Sequence, residues 1–98
     1  MAGYVVNDWV AFLQVGARVV VADAESVLGS QIVNSRLGHS VSVRVPGGQD
    51  GSVVAITRTE TKRETTIDSF WVEYVGGKVR HEGFSVAYFR LAPVEVKQ

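Results

Sequence analysis

The chain has 98 residues, enough for one ordinary domain and too few for two independent cores. Ten basic residues balance ten acidic ones, so no strong overall field favours partners rich in phosphate. The absence of cysteine excludes disulfides, a thiolate nucleophile and sulfur-ligated metal sites.

The apolar segments are short. Residues 4–13 and 19–22 fall far below the roughly 20 apolar residues that a membrane-spanning helix needs. No basic segment precedes the first of them, as it would in a secretory leader. We therefore expect a cytoplasmic protein that makes no membrane contact.

The first element in chain order is predicted to be a short amphipathic helix over residues 4–14, ended by Gly16. Its apolar stripe follows the spacing i, i+1, i+4, i+5 and i+8. The stripe consists of Val5, Val6, Trp9, Val10 and Leu13.

After Gly16 the apolar period changes to two, which predicts a strand around Val19 and Val21. A weak internal repeat with an offset of 22 residues begins here, because residues 16–30 resemble residues 38–52. Each copy has the pattern strand, turn, strand. Two hairpins are therefore predicted, one from each copy.

Residues 25–37 leave an alternative open. Apolar residues at 27, 28, 32 and 33 can share one helical face, and Asp23 can cap the helix. Gly29 and the β-branched residues favour a strand instead. The segment is predicted to be either the second strand of a hairpin or a second helix.

The second half of the chain has the pattern of β-hairpins. Residues 57–66 contain no apolar side chain, which predicts a solvated loop or a hairpin tip. The run Phe70–Val75 has strong β propensity, and Gly76-Gly77 predicts a tight turn into a strand over residues 78–82. Strict alternation places Phe70, Val72 and Tyr74 on one face of that strand and Trp71, Glu73 and Val75 on the other.

Near Ala87 and Tyr88 the alternation slips by one residue, which predicts a β-bulge or a single 3₁₀ turn between two short strands. Pro93 is predicted to end the last strand, because it has no N–H to donate to a ladder.

From Gly38 onward the order of elements is G-x-x-V-x-V, a Gly-rich turn, G-S-V-V-A-I, a polar loop, F-W-V-E-Y, a G-G turn, G-F-S-V and F-R-L-A-P. This rhythm resembles the SH3-like small barrels, including KOW and Tudor modules and the type II plasmid dihydrofolate reductases. The resemblance covers about sixty residues. It implies a mainly β, partly open barrel over residues 38–98, with residues 1–37 added as a helix plus a hairpin or second helix in one structural unit.

The reductase family carries a V-Q-I-Y run in its catalytic pore, and the matching stretch here is Val86-Ala87-Tyr88-Phe89. The family's glutamine would fall on Ala87, whose side chain cannot hydrogen-bond a pteridine or a nicotinamide. The resemblance thus argues against reductase activity and leaves a similar oligomeric assembly open.

Groups that could carry catalysis are sparse. His39 and His81 have no acidic partner at a metal-ligand spacing, and Asp68 and Glu73 are expected to be solvated charges at the ends of strands. The Gly-rich turn lacks both the Gly-Lys-Ser/Thr ending and the G-x-G-x-x-G spacing of phosphate-binding loops. We therefore predict neither an enzyme nor a site for a metal or a cofactor.

Two kinds of side chain remain as candidates for binding. The aromatic candidates are Trp71, Tyr74 and Tyr88, with Trp71 foremost because it shares a face with Glu73. Basic residues surround the aromatic strand in the sequence, and a stacking platform with cationic arms would suit a nucleic acid. These residues are Arg58, Lys62, Arg63, Lys78, Arg80 and Arg90.

Three functions from different classes follow from this pattern. The leading one is a non-enzymatic binding or assembly module that contacts a protein partner or a second copy through Trp71 and its neighbours. The second is a nucleic-acid-binding accessory protein that uses Arg58, Lys62, Arg63 and Arg80. The third is a small oligomeric enzyme whose site forms between subunits.

Overall fold

Alternating apolar and polar residues build the strands of one antiparallel sheet in the computed structural model, which describes residues 4–5, 14–22 and 24–92. The strands are β1 (Tyr4–Val5), β2 (Arg18–Val21), β3 (Ser26–Asn34), β4 (His39–Pro46), β5 (Asp50–Glu60), β6 (Thr65–Tyr74), β7 (Gly77–Glu82) and β8 (Phe89–Leu91). A 3₁₀ helix, Gly83–Tyr88, lies between the last two strands. The prediction of a mainly β chain is confirmed.

The sheet has the strand order β4-β3-β7-β6-β5-β2-β8, and every neighbouring pair is antiparallel. The short strand β1 lies off this path and pairs with the beginning of β6. The sheet curls strongly into an open half-barrel. Its two edges are the eight-residue strand β4 and the three-residue strand β8.

The two copies of the internal repeat do form strands, but the predicted pairing within each copy is wrong. β2 pairs with β5, and β3 pairs with β4, so the strands of one copy pair with those of the other. Residues 18–34 and 39–52 thus form one long bent hairpin. At its corner the Gly47 N–H donates to the Glu25 carbonyl and the Gly48 N–H donates to the Val21 carbonyl. These bonds satisfy backbone groups that the bend removes from the ladder.

Of the two alternatives for residues 25–37, the strand is observed and the helix is not. β-branched side chains pack well on a pleated surface, and the ladder with β4 supplies the backbone hydrogen bonds. The first two residues of the predicted N-terminal helix are also extended, because Tyr4 and Val5 pair with Ile67 and Thr66. The rest of that prediction, residues 6–13, lies outside the described residues, as does Pro93.

The predicted hairpins of the second half form, but the β6–β7 turn lies one residue earlier than the predicted Gly76-Gly77. The apolar-free segment forms the solvated ends of β5 and β6, joined by residues 61–64. Tyr74 pairs with Gly77, so Val75 and Gly76 make a two-residue turn, with Gly77 at a φ of 128°. The slip in alternation is the 3₁₀ helix, which returns the chain to β8 with Phe89 in the core.

The core fills the inner face of the curled sheet. As predicted, Phe70, Val72 and Tyr74 point inward from β6, while Trp71 and Glu73 point to the outer face. The prediction for Val75 is wrong, because Val75 lies in the β6–β7 turn and not on the strand. The Phe70 ring packs edge-on against Phe89 at a centroid distance of 5.4 Å. Ile67 of β6 also belongs to the core, together with valines from the other strands and from the 3₁₀ helix; these are Val19, Val21, Val27, Val45, Val53, Val79 and Val86.

Candidate functional site

Trp71 lies in a shallow groove on the outer face of the sheet, about 360 Å³ in volume. Cross-strand pairing places it between Ala55 on β5 and Arg80 on β7. The side chain is partly buried, so the ring forms part of the groove wall. The groove lining consists of Ile32, Val54, Ala55, Trp71 and Lys78. An apolar surface of this kind can take an aliphatic side chain of a partner.

The two predicted tyrosines do not join Trp71. Tyr74 is 8% exposed and points into the core, on the opposite face of β6. Tyr88 ends the 3₁₀ helix and is 43% exposed. The three aromatic residues therefore form no common cage, and the binding role predicted for Trp71 concerns the outer groove by itself.

The predicted basic residues divide into two groups. Arg58, Lys62 and Arg63 are exposed near the far end of the β5–β6 hairpin. Thr65, at the start of β6, is six residues from Trp71, a separation of about 20 Å at the rise of a strand. Lys62 and Arg63, which precede Thr65 in the hairpin tip, therefore lie apart from the aromatic groove, while Arg58 pairs with Ile67 and is closer to it.

Two members of the predicted basic set lie near Trp71: Arg80 pairs with it in register, and Lys78 lines the same groove. The Arg80 guanidinium donates to the Glu82 carboxylate at 2.7 Å, and both side chains are more than one-third exposed. An exposed pair of this kind contributes at most about 1 kcal/mol to stability. The pair neutralises the outer face locally, so the cation is not free to attract a phosphate.

His81 is fully buried among aromatic rings, and both of its ring nitrogens are hydrogen bonded. Because the Leu28 carbonyl can only accept, His81 Nδ1 donates to it at 3.0 Å. Nε2 is then the acceptor, and the Tyr74 hydroxyl donates to it at 2.8 Å. Burial lowers the pKa of His81 and raises that of Tyr74, so both groups are neutral at pH 7.

Because both of its nitrogens are used within the core, His81 joins β7 to β3 and β6. His39 lies at the exposed start of β4. Within the described part of the chain, no group of three or more His, Asp or Glu side chains could hold a metal ion.

Asp68 accepts a hydrogen bond from the Thr59 hydroxyl at 2.8 Å, while Glu73 is exposed on the outer face of β6. Glu73 pairs in register with Lys78 on β7. The two carboxylates thus lie five residues apart along one strand.

No helix in the described part of the chain combines the length and apolar character needed to cross a membrane.

The outer edge of β4 is a surface that sequence patterns did not indicate. Along this strand only Val45 is buried, and Val43 is half-buried. Val41 is 45% exposed, although it continues the row of inward-facing valines. Among the described residues, no strand pairs with the outer edge of β4. The backbone N–H and C=O groups on that edge therefore have no ladder partner in the described part of the chain.

A groove of about 220 Å³ borders this edge on the inner side of the sheet. One wall is β4 itself, with Val43, Val45 and Pro46, and the other is the β6–β7 turn around Val75. Tyr74 and Val79 also line it, and its polar lining residues are Gln31, Arg44 and Gln49. An edge strand beside an apolar groove is the arrangement by which sheets recognise an added strand.

More exposed apolar side chains lie toward the tip of the β3–β4 hairpin. Ile32, Val33 and Leu37 are each more than half exposed. Alternation along β3 and β4 would have shown these apolar positions, but their exposure depends on the strand order.

Comparison with models of known protein families, with curated proteins and with solved structures gives no significant match.

Proposed function

We propose that this protein is a non-enzymatic assembly module, an SH3-like barrel in type, that acts by self-association through its β4 edge. The observation that carries the proposal is the eight-residue strand β4, whose outer edge pairs with no strand among the described residues and whose inner face has an exposed valine. Long apolar edges are normally shielded by charge, proline or a covering segment. Here the shielding within β4 is limited to Arg44 and the terminal Pro46.

The inward-facing valines of the edge strand support the same proposal. Val41 is 45% exposed and Val43 is half-buried, and a strand paired with β4 would cover both. Each fully buried aliphatic side chain contributes about 1.5–3 kcal/mol. Covering both valines in each copy would supply part of the free energy that a stable dimer needs.

The first prediction concerns mass in solution. Light scattering over a range of protein concentrations is expected to show a dimer or larger assembly that persists at high salt, because apolar contacts are not screened. Val41→Lys removes a valine from each copy and places a charge on the edge. It is expected to weaken dimerisation by about a hundredfold, since each 1.4 kcal/mol is a factor of ten.

Val15→Lys is the matched control, because Val15 is also an exposed valine but precedes β2, far from β4 in the strand order. It should leave the assembly intact. Trp71→Ala tests the outer groove: loss of assembly only in this variant would move the interface to the outer face. A wild-type protein that stays monomeric at high concentration would contradict the proposed function.

A second candidate function is nucleic-acid binding by the tip of the β5–β6 hairpin. It is favoured by the exposure of Arg58, Lys62 and Arg63, none of which forms an ion pair with another described residue. A labelled single-stranded oligonucleotide should then bind at low salt and dissociate as salt is raised. Lys62→Ser with Arg63→Ser should weaken that binding, and an unchanged anisotropy at low salt would eliminate this candidate.

A further inference from the structure

We propose a specific architecture for the assembly: two copies pair their β4 strands antiparallel about a two-fold axis at Val43, and Val41 of each copy enters the groove of the other. The inference rests on the proposed function and adds the register and the socket. Four features support it: the open edge of β4, its alternation, the position of its single charge and the groove beside it.

The symmetry limits where the axis can lie. A closed dimer uses the same patch twice, so a two-fold axis perpendicular to the sheet makes β4 pair with itself antiparallel. That axis keeps the inner faces of both copies on one side. Two residues that lie directly opposite each other must then both be odd-numbered or both be even-numbered. The axis must therefore pass midway between one residue of β4 and the same residue of the partner subunit.

Val43 is the central valine of the inward-facing row Val41, Val43 and Val45. With the axis there, Val43 lies opposite Val43 of the partner subunit, and Val41 lies opposite Val45 of the partner subunit. All six valines then meet valines. An axis at Ser42 would place Val45 opposite His39 of the partner subunit, and an axis at Arg44 would leave Val41 without an apolar partner.

The charge on the strand favours the same register. Arg44 would face Ser42 of the partner subunit, so the two guanidinium groups are not directly opposite. Pro46 would face Ser40 of the partner subunit at the end of the ladder, where its missing N–H costs least. With the axis at Arg44, the two cations would oppose each other.

The groove gives Val41 a binding pocket. Val45 lies in its wall, together with Val43, Val75 and Val79. A valine placed directly opposite Val45 therefore lies over the groove, whose volume of about 220 Å³ admits an aliphatic side chain. The 45% exposure of Val41 in the single chain would be lost on pairing.

Cysteine substitution tests the register directly, because the natural chain has no cysteine. Val43→Cys places two thiols opposite each other at the axis, within reach of a disulfide. Under mild oxidation it is expected to form a covalent dimer at least about tenfold faster than Val15→Cys, an exposed control for random collision. Ser42→Cys should not cross-link efficiently, because its nearest equivalent lies on the diagonal, about 7–8 Å away.

The possible outcomes separate this inference from the proposed function. Rapid cross-linking of Val43→Cys with slow cross-linking of Ser42→Cys supports the axis at Val43. Rapid cross-linking of Ser42→Cys alone overturns the register but keeps the β4 interface. A dimer by light scattering in which neither variant cross-links overturns the β4 pairing. A monomer overturns the proposed function as well.

Discussion

Replacing Gly29 with alanine is expected to lower the free energy of unfolding by about 3 kcal/mol, from overpacking together with a weakened hydrogen bond. A methyl group built at Gly29 would lie 2.9 Å from the Arg80 carbonyl oxygen and 3.0 Å from His81 Nδ1. It would come still closer to a methyl group of Val79. Backbone on β7 cannot move away as a flexible side chain can, so β3 would be pushed off β7.

That displacement would act where β3 is most weakly held. The ladder between β3 and β7 has a single residue pair, Ser30 with Arg80, and the His81–Leu28 hydrogen bond is the other polar link between these strands. Denaturant titration should therefore show the loss of stability, and the melting temperature should fall by more than about 10 °C.

Gly76→Ala is the matched control for Gly29→Ala. Gly76 has open space where its Cβ would be, and its φ is not positive, so the same substitution is expected to change stability by no more than about 0.5 kcal/mol. Equal stability of the two variants would show that β3 does not approach β7 as closely as the structure describes.

The sequence was sufficient to predict most strands and the pairing of neighbouring strands in the second half, but not the pairing in the first half. Alternation located β2, the inward row of β6 and the turn at Gly76 because each of these depends on neighbours in the chain. Pairing depends on the bend near Gly47, where hydrogen bonds join residues more than 20 positions apart. A 22-residue repeat therefore indicated two hairpins although its copies pair with each other.

The same distinction applies to the candidate site. Trp71 was correctly assigned to the face opposite Phe70, since one strand's alternation determines that. The free edge of β4 could not be predicted, because any strand is an edge or an interior strand only by virtue of the strand order. The wide separation of the basic tip from Trp71 likewise depends on how far β5 and β6 extend as a regular hairpin.

His81 shows this limit most clearly. Its hydrogen-bond partners are 7 and 53 residues away along the chain, so nothing local distinguishes it from the exposed His39. The structure assigns it the Nδ1–H tautomer, since a carbonyl accepts on one side and a hydroxyl donates on the other. Nitrogen NMR of the imidazole should show that tautomer at pH 7.

Acid should destabilise the protein through His81, and the effect should begin near pH 6.5. Burial lowers the pKa of the folded-state imidazole below the value of about 6.5 expected in the unfolded chain. As the pH falls, the unfolded chain binds the proton first. Above that pH the contribution of the neutral imidazole to the free energy of unfolding is fully present. Below it, the free energy of unfolding falls by up to about 1.4 kcal/mol per pH unit until the folded-state pKa is reached.

Denaturant titrations between pH 7.5 and about 5, above the range where carboxylates titrate, would measure this slope. His81→Phe should be less stable at pH 7, because the Tyr74 hydroxyl and the Leu28 carbonyl lose their partner, but its stability should not change in this window. His39→Gln is the control variant, because it removes the exposed histidine and leaves the buried one in place. If the slope disappeared in His39→Gln and remained in His81→Phe, the acid sensitivity would belong to the β4 edge and not to the core.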